Sequence, residues 1–353
     1  VVELSASRSR TVAGAVAVTA LLLSGCSEPA HDPASEIVRT TTRIAGAAVV
    51  GFDRDTSAAC SLPTPLDPGR SADGTHTVVH TSGVSVVPDD PRRIVVLDDA
   101  ALDAVCALGL WERVVAATTG PDGHPDHLGS GVTEIPAAGS PDAVDLGAVE
   151  AAQPDLILGS AASPGIYDSL SAVAPTVTVG DDPAFWQDQF LRIGETLGRS
   201  EAARRVLDDY LAAATDLGRE LVASQTQASL VRFTADGPVV EGVASFAGRI
   251  LTDVGARRPP SQRFTVVDGR VDTPVDPADV TAADGDVIFV RFEGQEGLAA
   301  GTEYMKRDNW LDLGAVTDGR LFSVSDDVWT TPGPVAAHAV LTDLRYTLNG
   351  YSN

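Results

Sequence analysis

From Arg92 onward the sequence alternates short apolar runs with amphipathic stripes, and that alternation leaves few folds open. Residues 93–97 (Arg-Ile-Val-Val-Leu) read as a buried strand. Asp98-Asp99 follow at the place where a helix N-cap belongs, and Leu102, Val105, Cys106 and residues 108–110 continue as a helical stripe with Gly109 near its end. Residues 114–117 form the next apolar run, and 118–131 the loop after it. A short helix is expected over 145–152, stopped by Gln153-Pro154. Residues 155–159 give a third strand, 166–173 a further helix and 176–179 a fourth strand. Strand and helix in strict alternation predict a parallel-sheet α/β unit.

A long helical region comes next. Phe190, Ile193 and Leu197 recur at helical spacing, Gly198-Arg199-Ser200 interrupts them, and Val206, Leu207, Tyr210, Leu211, Leu217 and Leu221 resume the stripe. A helix of about 25 residues spans about 37 Å, enough to run from one lobe to another. A second α/β unit follows: strands at 229–233, 287–290 and, edge-like, 320–324, with helices at 246–254 and 335–348. The two units share a layout without a visible sequence repeat.

The segment before Arg92 is of another kind. The chain opens Val1-Val2-Glu3, as a GTG start codon translated literally would give, and Arg8 and Arg10 precede an apolar run over 11–23. A bilayer needs about 20 apolar residues, so a signal peptide is expected rather than a membrane span. The junction Leu23-Ser24-Gly25-Cys26 is similar to the bacterial lipobox, in which the peptidase cuts before the cysteine and its sulfur carries a diacylglycerol. Residues 27–91 are rich in Ser, Thr, Pro, Gly, Ala and Asp and read as a tether and partly ordered extension, with one edge strand over 84–87. Of three cysteines, Cys26 is assigned to lipid. That leaves Cys60 and Cys106, an even pair in an oxidising compartment and in no metal-binding spacing; a disulfide is expected. The formal net charge of −24 argues against a nucleic-acid partner and against lying on an anionic membrane surface. No nucleophile elbow, P-loop or dinucleotide glycine motif appears, Ser160 and Ser163 lack a histidine partner, and no enzymatic activity is expected.

Several segments, in order, resemble the ferric-siderophore-binding lipoproteins of bacterial ABC importers. They are residues 93–97 followed by Ala-Leu-Asp-Ala-Val-Cys-Ala-Leu-Gly-Leu, then 152–158 (Ala-Gln-Pro-Asp-Leu-Ile-Leu), 170–176, 284–290 (Asp-Gly-Asp-Val-Ile-Phe-Val), 310–316, and Asp326-Asp327-Val328-Trp329 with Gly333-Pro334. The extension holding Cys60, the segment around Cys106 and residues 258–264 look like the FecB-type subgroup of mycobacteria and relatives. The resemblance implies two Rossmann-like α/β lobes joined by a long rigid interlobe helix, the class III periplasmic-binding-protein-like fold. It divides the chain into a signal peptide (1–25), a lipid-anchored tether and extension (26–91), an N-terminal lobe (92–185), interlobe helices (186–225) and a C-terminal lobe (226–353). It further implies a ferric siderophore, or a related chelate such as haem, bound between the lobes of a monomer at the outer face of the membrane, and an ABC permease as partner. The acidic residues that dock such proteins on the permease align with Gly147 and Ala278, and Glu150 and Asp279 lie nearby. A haem- or zinc-binding relative and a cell-envelope interaction protein on the same fold are the alternatives.

Iron's hard ligands come from the siderophore, so the protein needs no metal ligands; what it needs is aromatic faces and fixed cations against an oxygen-rich chelate. The candidates are Trp329 beside the Thr-Thr-Pro-Gly-Pro loop, Arg263 after a double proline, Arg291 after the strand 287–290, Phe246 at a helix start and Thr119 after the second strand. Each has a plainer counterpart: core packing for Trp329 and Phe246, an exposed surface for Arg263. Trp186 is expected to pack. His124-Pro125-Asp126-His127 invites a zinc reading, but two histidines on a proline loop without a third read as a surface loop.

Overall fold

The structure, a computed structural model, describes residues 42–160 and 164–351. The signal peptide and Cys26 lie outside the described residues. In the N-terminal lobe four parallel strands stand in the order Thr176–Thr178, Leu156–Gly159, Ile94–Val96, Val114–Ala117. All but one of their residues are buried, which is why they read as continuous apolar runs rather than alternating ones. Asp98 caps the helix Asp99–Ala107, its carboxylate accepting from Ala101 N at 2.9 Å. The strand order turns back on either side of Ile94–Val96, so this helix starts at the point where doubly wound sheets open a crevice.

The interlobe region is two helices, Trp186–Thr196 and the 21-residue Ser200–Glu220, about 32 Å long. Gly198 breaks them apart: its φ is +66°, and a Cβ there would meet the carbonyl of Asp89. Ala203, Leu207, Tyr210, Ala214 and Leu217 form the buried stripe of the longer helix. It packs against Trp186–Thr196, against the C-lobe helix Phe246–Val254 and against the terminal helix Pro334–Thr347. One hydrophobic core therefore runs unbroken from Ile94 and Leu102 through Tyr210 to Phe246, Trp329 and Val340.

The C-terminal lobe is a seven-stranded sheet in the order Arg43–Ile44, Ala47–Val49, Leu321–Ser323, Val287–Phe292, Ala228–Thr234, Gly237–Glu241, Asp272–Pro274. Its four central strands are parallel and both margins antiparallel. Here the sequence reading needs correction. Leu321–Ser323 is not an edge strand, because the extension supplies Ala47–Val49 beside it, pairing Ala48 with Phe322 and Val49 with Ser323. The expected strand at 84–87 is one arm of a hairpin, Thr75–His80 with Gly83–Pro88.

The extension continues across the molecule. Arg54 pairs with Asp343 of the terminal helix at 2.7 Å. Cys60 and Cys106 are disulfide-bonded, 46 residues apart in sequence. Ser61 N and Thr64 N donate to the carbonyls of Cys106 and Leu108 at 3.1 and 3.3 Å. Gly109, at φ +69°, leaves room for the Leu62 backbone where a Cβ would intrude. The segment is thus a strap that adds strands to the C-terminal lobe and is tied covalently to the N-terminal one.

Candidate functional site between the lobes

The carboxyl ends of the parallel strands, and the loops leaving them, are where α/β lobes hold ligands. On the N-terminal side these are the turns after Ile94–Val96, Val114–Ala117, Leu156–Gly159 and Thr176–Thr178. On the C-terminal side they include the segment from Val324 through the one-turn helix Asp326–Thr330 to Gly333. A buried carboxylate ties the two sides at the back. Asp103 is fully buried on the helix Asp99–Ala107. Its Oδ1 and Oδ2 accept from Val335 N and Ala336 N, both at 2.9 Å, capping the terminal helix of the other lobe. His127 Nε2 lies 3.4 Å from the same carboxylate. A Cβ on Gly333 would fall on the Asp103 carboxylate, so glycine is required there for contact rather than for backbone freedom.

The five residues singled out from the sequence fall in different settings. Trp329 is 1 % exposed; its ring lies 4.9 Å from that of Phe289, and its Nε1 donates to Asp343 Oδ2 at 2.9 Å. Arg291 stands inside the strand Val287–Phe292 rather than after it, with its guanidinium held by Glu241 and Asp326. Burial works against that charge, but the two carboxylates outweigh it and raise the arginine's pKa above its ordinary value. Trp329 and Arg291 are brought together: with Leu230, Glu241, Ala247, Phe289 and Val324 they line one narrow internal void. Phe246 is buried at its helix start, edge-on to Trp186 with ring centroids 5.6 Å apart, and Trp186 packs likewise on Tyr210. Thr119 is half-buried, its amide donating to Gly139 O at 3.0 Å. Arg263 is exposed and apart from the others. Its Nε donates to Arg258 O at 2.9 Å, and its loop is tied by Gln262 to Ser229 and Leu230, toward the amino end of the strand.

What the sequence reading missed is acidic. Asp98-Asp99 both stand where an N-cap belongs, yet only Asp98 fills that role. Asp99, one helical turn from Asp103 on the same face, is pushed up to about 6 by burial and by the neighbouring carboxylates of Asp98 and, from the opposite lobe, Asp327. Asp327 is raised in turn by burial and by Asp326, Asp122 and Asp126. His124 and His127 are buried rather than on an exposed loop, and their Nε2 atoms meet Ile135 O at 3.0 Å and Asp103. Among the described residues no group of three His, Cys, Asp or Glu side chains is arranged to hold a metal ion, and no helix is long and apolar enough to cross a membrane.

Two α/β lobes on a rigid helix, with strand ends facing each other and buried ties behind, define a two-lobed binding protein. The comparisons with known proteins agree. The profile of the periplasmic binding protein family matches residues 94–328, and the chain belongs to that family. Among its relatives, the probable siderophore-binding lipoprotein YfiY of Bacillus subtilis is 29% identical over 296 residues, 78% of this chain and 88% of that protein. The Fe(3+)-citrate-binding protein YfmC of the same organism is 25% identical over 270 residues, 74% of this chain and 82% of that one. Staphylococcus aureus SirA, solved with staphyloferrin B, superposes with a TM-score of 0.67 over 78% of this chain and 99% of its own at 24% identity, a likeness of fold. The relatives carry the kind of name that the resemblance read from the sequence implied.

Proposed function

We propose that this chain is an extracytoplasmic lipoprotein that binds a ferric siderophore in the cleft between its lobes and delivers it to an ABC importer. The observation that carries the reading is coverage: relatives named for siderophore and ferric-citrate binding align over about three quarters of the chain, across both lobes. The anchor at Cys26 is part of the proposal and rests on the Leu23-Ser24-Gly25-Cys26 junction, together with relatives named as lipoproteins. Docking on the permease would fall to Glu150 and Asp279, both exposed, in place of Gly147 and Ala278. In this reading Thr119 lines the cleft. Trp329, Phe246 and Arg291 are its supporting wall, Arg291 acting through Asp326 and Glu241 rather than as a free cation. Arg263, toward the amino end of its neighbouring strand, stands outside the cleft in this reading.

The test is isothermal titration of the purified mature chain with a panel of apo and ferric siderophores. The expected outcome is saturable binding of at least one ferric chelate, with Kd at or below about 1 µM, or about −8 kcal/mol, and weaker binding of the iron-free form. Failure of every ferric chelate to bind would refute the proposal.

A further inference from the structure

The charges around the cleft are at odds with an anionic ligand. In the N-terminal lobe the described segments that leave the strands are 97–99, 118–127, 160 and 179–182. They contain Asp98, Asp99, Asp122, Asp126, Asp181 and Asp182 and no lysine or arginine. In the C-terminal lobe the segments 235–236, 293–294 and 324–333 contain Asp236, Glu293, Asp326 and Asp327, again without a lysine or arginine. Two arginines on the central strands are already neutralised. Arg291 is held by Glu241 and Asp326, and Arg232 on the adjacent strand by Asp272 and Glu293. An anion entering here would find no guanidinium on these loops and, even with Glu293 and Asp326 spent on arginines, carboxylates such as Asp99 and Asp327 on both rims.

A second observation bears on the ligand itself. A buried polar atom directly after the strand Val114–Ala117 has no hydrogen-bond partner: Thr118 Oγ1, on a residue 1 % exposed. A buried polar group without a partner is costly, and an oxygen of the ligand would relieve it. A hydroxyl can donate to an amide or hydroxamate oxygen with no cation needed.

We infer that the chelate this cleft accepts carries no net negative charge: iron(III) wrapped by three singly charged bidentate arms, as in a tris-hydroxamate, not by doubly charged catecholates or by citrate. Three single charges cancel those of the metal; three catecholates leave an excess that the rims would repel. The inference rests on the proposed function and narrows its ligand.

The experiment is calorimetric titration of the mature chain at pH 7.5 with ferrioxamine B, a ferric tris-hydroxamate, with ferric enterobactin, a ferric tris-catecholate, and with ferric citrate. The expected result is that ferrioxamine B binds at least about 100-fold more tightly than either anionic complex. In the double variant Asp99→Asn, Asp327→Asn the preference should narrow by about tenfold or more, because two carboxylates facing a multiply charged anion have been removed. Equal or tighter binding of ferric enterobactin or ferric citrate by the wild type would overturn the charge assignment and leave the ferric-chelate reading standing. Binding of none of the three, nor of any other ferric chelate, would overturn both.

Discussion

Replacing Asp103 by alanine should cost about 3 kcal/mol of folding free energy although the residue is not needed for helix formation in its own segment. The carboxylate accepts from two amides of the opposite lobe, Val335 N and Ala336 N, each at 2.9 Å, and is fully buried. Loss of an N-cap costs about 1–2 kcal/mol, and the second amide, left in a site that water does not reach, adds about 1–2 kcal/mol. Relief of the buried charge returns part of this, which sets the central figure. Asp103→Asn keeps one accepting oxygen but turns an NH₂ toward the other amide, so it should fall between wild type and alanine. Gly333→Ala probes the same contact from the other side. Its φ is −167°, ordinary extended backbone, so any penalty arises from the new Cβ displacing Asp103. The assay is urea unfolding followed by tryptophan fluorescence with the disulfide intact, analysed as a double-mutant cycle. Once Asp103 is alanine, Gly333→Ala has little left to displace, and the two effects should be non-additive by about 1 kcal/mol or more. Strictly additive effects, or a loss below about 0.5 kcal/mol for Asp103→Ala, would refute the account.

Two further perturbations test the strap and the rim. Replacing Cys60 and Cys106 by serine opens a loop of 46 residues. It should lower stability by up to about 4 kcal/mol in the chain-entropy view; an unchanged urea midpoint would show that the strap is held by its other contacts alone. Asp99→Asn should stabilise the protein at pH 7.5. In the folded chain the carboxyl is raised from 3.8 to about 6, so its ionised form is disfavoured by folding and the wild type loses stability as pH rises from about 4 through 6. The variant escapes that loss, with a gain of about 2 kcal/mol at pH 7.5 after allowing for partial exposure and less than about 1 kcal/mol at pH 4. A gain that does not depend on pH would point to packing instead.

How far the sequence carried is clearest element by element. The N-terminal strands were legible because each is buried on both faces and so appears as an uninterrupted apolar run between turn signals. The break at Gly198 was legible because glycine is the residue that a reversal into positive φ favours. Ala47–Val49 was not, because three small residues carry no strand signal; they become a strand only through Phe322 and Ser323, which stand more than 270 positions later. Arg291 was recognised as important but given the wrong surroundings. Its partners Glu241 and Asp326 lie 50 and 35 residues away in sequence, and no local pattern says that a cation at a strand end is already spent. Trp329 was placed next to the right loop, yet the acceptor of its indole, Asp343, sits on a helix whose stripe had been read only for its apolar positions.

The ties between the lobes bear on how a ligand is selected. Among the described residues, the connections from one lobe to the other include the helix Ser200–Glu220, the Asp103 cap on Pro334–Thr347, and the strap that runs from Ala47–Val49 past Arg54 to Cys60. Wide opening would need the cap broken and the strap either stripped from its sheet or cut at the disulfide, at a cost of several kcal/mol. A cleft held in this way is set before the ligand arrives, so little binding energy is consumed in closing it and shape and charge at the rims decide what enters. Asp327 helps to raise the pKa of Asp99 from the opposite lobe, which places a second carboxylate within the field of the first. Such a pair resists a ligand that adds negative charge and is relieved by one that adds none or brings a cation between them. Preorganisation and charge therefore act in the same direction: rigid rims turn what would otherwise be an adjustable electrostatic preference into a fixed criterion for the ligand.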